Sequence, residues 1–328
     1  MKADVLLFRK ANSPEIAQVE LPELKEDEIL MRTEYSGVSI GTEMSIITGK
    51  RTQNGTFPLV PGYMASGCVL ECGKNAGKFK PGDRICGIGA RFCDSSSAVS
   101  VWGGHSSLQV LNEENVFKVP DKAELAHASM FILPAVGLNA ISMANITEQD
   151  TVLISGLGLI GYFFADFCRL RGASVAIIEP AADRAAIARK NITENIFSPD
   201  DPDLQDRIST AFTGRKISVC VEATASKKFI GNCSRFLSPG AKMVFLSWYD
   251  GIIELDYSHF HNNGVTAYFP TGSGNSETLK AVLQYFAERG NTMDSVITHS
   301  VSCAEAPAAY ERILNGDRSI YGMTVKWR

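Results

Sequence analysis

The stretch TVLISGLGLIGYFF, residues 151–164, constrains this chain more than any other. A short apolar, β-leaning run leads into glycines at 156, 158 and 161, spaced G-x-G-x-x-G, and helical periodicity follows. Strand, glycine turn and helix in that order are the context a dinucleotide-binding loop requires. Gly156 permits the tight turn, Gly158 lets backbone approach a pyrophosphate, and Gly161 lets helix and strand pack closely. Leu157, Leu159 and Ile160 complete the loop, and the unpaired N–H groups of the helix start face the phosphates. Glu179 ends the next apolar run about 20 residues on, where a carboxylate bonds a ribose 2′-hydroxyl and repels a 2′-phosphate. The pattern predicts NAD(H). Arg184, just beyond, is the residue through which NADP(H) stays open.

The same grammar continues on either side of residue 180. ASVAIIE, NIF, ISVCVEA, AKMVFLS and GVTAYF read as strands, and PAADRAAIARKN, DLQDRISTAF and KKFIGNCSRFL as helices between them. Strand alternating with helix predicts a doubly wound parallel sheet of Rossmann type. The first 120 residues read differently, as short β-leaning runs (ADVLLF, IAQVEL, EILMRTEYSGV) broken by turns such as Lys80-Pro-Gly-Asp83. After GVTAYF come an amphipathic helix, a strand, a short helix and a last strand, YGMTVKW. That last strand is expected to return to the β-rich first part.

With 328 residues, two domains are expected. Hydrophobic content of 45%, charged content of 21% and a net charge of −4 describe an ordinary globular chain and give no electrostatic case for nucleic acid or an anionic membrane as partner. The apolar runs are too short to span a bilayer, and charges at Arg9 and Lys10 interrupt the N-terminal one, so a cytoplasmic location is expected. Eight cysteines contain no C-x-x-C pair. Cys68, Cys168 and Cys220 stand at apolar positions, and Cys68/Cys72 and Cys86/Cys93 lack the spacing and further ligands of a zinc site.

Taken in order, SGVSIGTE (36–43), PLVPGYMASGCV (58–69), KPGDRICG (80–87), GGHSSLQV (103–110), LPAVGLNAI (133–141), GLGLIG and ITHSVSCAEAPAAYERIL (297–314) resemble the medium-chain dehydrogenase/reductase superfamily over nearly the whole length. The resemblance implies an α/β fold: a GroES-like β-barrel catalytic domain at 1–122 and 271–328, a Rossmann domain at 123–270, and an active site in the cleft. Zinc members carry Cys-Gly-Thr-Asp and Gly-His-Glu motifs and a third ligand before the helix that leads into the cofactor domain. Ile40 stands at the cysteine position, Tyr63 at the histidine position and Leu133 at the third, and the four-cysteine structural loop is missing. The resemblance therefore implies a member without zinc. It is nearest the branch of bacteriochlorophyllide hydroxyethyl dehydrogenases, from which Met64 departs where Glu is expected.

Hydride transfer without zinc needs another group to move the hydroxyl proton and steady the oxyanion. Tyr63 is the first candidate, since a phenol can donate to the oxygen and take a proton back; the alternative is that it fills the vacated metal space. Thr42 matches the family's proton-relay hydroxyl, and Ser39 lies beside it on what reads as one loop. Glu43 either orients that loop or meets substrate. His105 is a further substrate-side candidate, and His259 and His261 read as ordinary loop residues. Two kinds of function follow. One is an NAD(H)-dependent oxidoreductase of a secondary alcohol or ketone on a larger metabolite, with an NADPH-dependent enoyl or quinone reductase as the alternative enzyme. The other is a non-catalytic NAD(H)-binding protein. GVTAYF (264–269), short and uncharged, is expected at the sheet edge through which relatives dimerise, which predicts a homodimer.

Overall fold

The computed structural model describes residues 1–50, 57–92 and 98–328. The chain forms two units, Met1–Phe131 with Leu279–Arg328, and Ile132–Thr278.

The first unit opens with β1 (Lys2–Phe8) and β2 (Pro14–Glu20), paired antiparallel along their whole length. β3 (Glu28–Val38) follows, then α1 (Ile40–Ile47), β4 (Leu59–Val60), β5 (Ala65–Cys72), β6 (Arg84–Gly87), β7 (Val99–Ser100), β8 (Leu108–Asn112), β9 (Val116–Lys118) and α2 (Leu125–Ala128). The segment SIGTE is therefore a helix rather than the loop expected, with Ser39 at its N-cap and Thr42 and Glu43 in its first turns. Most of β3 is buried because it pairs with three strands, which explains why its sequence shows no polar alternation.

The second unit runs α3 (Ile132–Met143), β10 (Thr151–Ser155), α4 (Leu159–Leu170), β11 (Ser174–Ile178), α5 (Ala182–Asn191), β12 (Ile196–Phe197), α6 (Leu204–Ala211), β13 (Val219–Glu222), α7 (Lys227–Ser234), β14 (Lys242–Phe245), α8 (Tyr257–Asn262) and β15 (Thr266–Tyr268). All six strands are parallel, in the order β12-β11-β10-β13-β14-β15. β10 sits between β11 and β13, so the strand order reverses there, and the crevice of a doubly wound sheet lies at that switch point. β15 is an edge, as read from the sequence. His259 and His261 stand on α8, which Asp256 caps, rather than in a loop. His259 Nε2 donates to the Ser234 carbonyl, and His261 stacks on Tyr257.

The chain then returns through α9 (Ser276–Glu288), α10 (Gly290–Val296), β16 (Ile297–Ser302), α11 (Ala306–Leu314) and β17 (Gly322–Lys326). β17 pairs with β3 and β16 in a seven-stranded sheet, in the order β16-β17-β3-β5-β6-β9 with β8 pairing β3 off this path. Tyr310, Met323, Val325 and Trp327 join Leu6, Phe8, Val38 and Ile47 in one core cluster. Each fully buried large apolar side chain stabilises by roughly 1.5–3 kcal/mol, so the returning segment is a principal part of this unit's core. Among the described cysteines none is in a disulfide. Cys86, Cys168 and Cys220 are buried, whereas Cys68 is only partly so. Burial pushes the Cys86 and Cys168 thiols well above the ordinary thiol range, so they are packing groups. Cys93 lies outside the described residues.

Candidate active site

The glycine loop behaves as its sequence requires. Gly156 has φ +97°, and a Cβ there would lie 2.8 Å from the Ala223 carbonyl oxygen. A Cβ on Gly161 would lie 2.4 Å from the Gly156 carbonyl oxygen, so both positions exclude a side chain. Gly158, the N-cap of α4, faces open space with nothing within 4 Å of where its Cβ would be. The loop thus leaves a side-chain-free approach in front of the first turn of α4, whose N–H groups have no intrahelical acceptor. Leu157 is buried, while Leu159 and Ile160 are half-buried on the helix.

Glu179, at the end of β11, is almost fully buried and turned toward this loop. Its Oε2 accepts from the Leu157 amide at 2.7 Å and its Oε1 from the Ala181 amide at 2.9 Å. A carboxylate has about four acceptor sites, so both oxygens keep capacity for a hydroxyl donor. The acid therefore ties the loop down as well as facing the crevice, a second role the sequence did not reveal. Arg184 lies half-buried on α5.

In the first unit the structure joins several candidates into one interior network. Glu43 and His105 are both fully buried. His105 Nε2 lies 2.9 Å from Glu43 Oε2 and 2.8 Å from the Tyr310 hydroxyl, which itself donates to Glu43 Oε2. Glu43 Oε1 accepts from the Ser39 amide at 2.8 Å, holding the N-cap of α1. On the far side of the ring, Nδ1 lies 2.8 Å from Ser36 Oγ, and Ser36 Oγ accepts from Trp327 Nε1 at 2.9 Å. The Ser39 amide, the Tyr310 hydroxyl and His105 Nε2 thus gather around one buried carboxyl group. Burial, and then Glu43, push the Tyr310 phenol well above its ordinary value, so it stays a donor. Glu43 and His105 are thus interior residues, bonded to one another and to Ser36, Ser39 and Tyr310 beside α1 and the Gly62 turn.

Tyr63 is half-buried and edge-to-face with Trp102 at 5.4 Å. It follows Gly62, whose φ is +88° and whose Cβ would lie 2.6 Å from the His105 ring. The buried histidine thus sets the turn that presents the tyrosine. Thr42 is half-buried on α1, and its carbonyl accepts from Ser45 Oγ at 2.6 Å. Ser39 is buried. Ile40 is the first residue of α1, and Leu133 is buried in α3. The aliphatic side chains of Ile40 and Leu133 offer no S, N or O donor to a metal. Among the described residues, one group has metal-ligand spacing, Glu124, His127 and Asp294, and it contains none of these positions. Tyr310 and Trp327 were missed in the sequence, since nothing local marks a residue that bonds another more than 200 positions away.

Residues 25–121 match the family model of the alcohol dehydrogenase GroES-like domain, and residues 160–292 that of the zinc-binding dehydrogenase. Among similar proteins is an uncharacterised zinc-type alcohol dehydrogenase-like protein of Escherichia coli K12, 21% identical over 99% of both chains. D-arabitol-phosphate dehydrogenase of Enterococcus avium is 22% identical over 90% of both. A zinc-binding dehydrogenase of Sinorhizobium meliloti solved with NADP superposes with a TM-score of 0.86 at 18% identity, covering 100% of both chains. The two domain models, matched in the family's order along the fold just described, place the chain in the medium-chain dehydrogenase/reductase superfamily as an alcohol dehydrogenase-type oxidoreductase.

Proposed function

We propose that this oxidoreductase uses NAD(H), works without zinc, and interconverts a secondary alcohol and a ketone on a larger metabolite such as a cyclitol, sugar or natural-product intermediate. The carrying observation is the presence of Ile40, Tyr63 and Leu133 at the family's ligand positions in a chain that keeps the glycine loop. The D-arabitol-phosphate dehydrogenase relative favours a polyhydroxylated substrate, which brings its own hydrogen-bonding handles. Bound NAD supplies the hydride acceptor. The chain's own part is to shape the loop through Gly156, Gly158 and Gly161, to hold the ribose side through Glu179, and to move the hydroxyl proton through Tyr63, with Thr42 as relay. Glu179 favours NAD(H) by placing negative charge where a 2′-phosphate would sit. Arg184 would moderate that preference.

We place the enzyme in the cytoplasm as a homodimer joined through β15. Among the described residues no helix is long and apolar enough to cross a membrane. β15 ends the parallel sheet, and exposed Trp248, Tyr257 and Phe269 stand on the segments around it. Thr266 donates its amide inward to Ala241, so strand alternation turns the Ala267 N–H outward, and Ala267→Pro should release monomers without breaking the ladder.

The test is metal analysis of the purified protein together with NAD(H) turnover screened against cyclitols, sugars and other polyols. Turnover that survives chelation, with no stoichiometric zinc, supports the reading. About one tightly bound zinc per chain, or activity lost on chelation, sinks it.

A further inference from the structure

The second unit holds a carboxyl that the reading above does not use. Glu222 ends β13, paired in register with Ser155 of β10, directly before Gly156. Its side chain is fully buried. Oε1 accepts from the Thr224 amide at 2.7 Å and also from the Thr224 hydroxyl. Oε2 is buried with no hydrogen-bond partner. The turn this acid grips is the wall of the glycine loop. Ala223 is bonded to Ser155, its carbonyl fills the space where a Gly156 side chain would go, and its Cβ lies 3.1 Å from the Cβ position of Gly161.

We propose that Glu222 is a positioning residue for the dinucleotide site and acts as a neutral acid, holding the Ala223–Thr224 turn against Gly156 while keeping negative charge out of the crevice that receives the pyrophosphate. The inference rests on the dinucleotide reading above. Geometry argues for the neutral form first. A carboxylate with one oxygen buried and unsatisfied is far costlier than an uncharged acid in the same place. Among the described residues, the side chains beside it are uncharged (Ser155 from β10, Phe245 from β14, Thr224 and Ser247 from the turns beyond the two strands), and on α7, which packs against β13, Lys227 is exposed. Burial raises the Glu222 carboxyl above the usual carboxylate range, and the polar groups of Thr224, Ser247 and Ala225 offset that only in part. The sign follows from linkage. Stability from a raised acid is complete below the ordinary carboxylate value and is lost as pH climbs through the folded one. Ionisation would also set a negative charge beside the phosphates.

The experiment measures NADH affinity, and the melting midpoint of the cofactor-free protein, between pH 5.5 and 9 for the wild type and Glu222→Gln. The wild type should lose at least about fivefold more NADH affinity across this range than Glu222→Gln, and its melting midpoint should fall relative to that variant as pH rises. Parallel binding and melting curves for the two proteins overturn the proposal. Diverging melting curves with no NADH binding by the wild type at any pH would overturn the dinucleotide reading, and the positioning role with it. Should Glu222→Gln fail to fold, Thr224→Val serves instead. It removes one stabilising donor, so the wild-type losses should move to higher pH, and an unmoved profile overturns the proposal.

Discussion

The glycine loop of the second unit and the Glu43–His105 network of the first are both built around a buried carboxylate, yet they do opposite things with space. At the loop, Glu179 bonds backbone amides and the glycines leave Gly158 facing open room. In the first unit, Glu43 is fully buried and gathers Ser39, His105 and Tyr310 around it. The loop is kept empty for something to arrive, whereas the network is closed on itself. A buried acid is therefore not by itself a sign of a site. What separates the two is whether backbone or side chains occupy the acid, and whether a cavity remains beside it.

The sharpest way to break this contrast is at Tyr63, the residue that the closed network presents. Tyr63→Phe should lower turnover by about 10²–10⁴-fold with NADH affinity nearly unchanged, the range expected for a lost general acid–base group. Near-normal turnover would return Tyr63 to packing against Trp102 and move attention to Thr42. Next is the network itself. Glu43→Ala strands three donors in the interior and should cost about 3–5 kcal/mol in denaturant unfolding, as breaking a buried charged cluster does, with NADH still bound by the folded fraction. A loss below about 1 kcal/mol would mean that water reaches the cluster. On the open side, NADH should bind the wild type about tenfold tighter than NADPH, roughly 1.4 kcal/mol, and Glu179→Ala should narrow that gap. Equal wild-type affinities would show that the acid serves the loop alone. The smallest change is Tyr310→Phe, which deletes one donor to Glu43 and should cost about 1 kcal/mol in the same unfolding assay. No change would place the whole load on His105.

The two regions also differ in how far the sequence could be read. The glycines at 156, 158 and 161 act through backbone geometry, and Glu179 lies one strand away, so a window of some two dozen residues contains the whole device. The alternating strands and helices of the second unit were legible for the same reason, because each βαβ unit is local. The network is assembled from Ser36, Glu43, His105, Tyr310 and Trp327, which only the pairing of β17 with β3 brings together. His105 reads in sequence as a lone histidine, and its burial beside Ser36 and Trp327 cannot be derived from its own stretch. α1 was misread as a loop because its start, Ser-Ile-Gly-Thr, is weak in helix propensity. What secures its first turn is the carboxylate of Glu43 reaching back to the Ser39 amide. α8 is only one turn and a half and depends on the Asp256 cap.

The place of β17 has a consequence for biosynthesis. This strand lies inside its sheet, between β16 and β3, yet it is translated after the whole of residues 132–278. On the ribosome the parallel sheet can close as soon as β15 has emerged. The N-terminal strands, made earlier, must wait with β3 unpaired on one side until the polypeptide comes back to fill the gap. Exposed strand edges of this kind are what chaperones shield in nascent chains. The earliest-made part of this enzyme is thus among the last to mature.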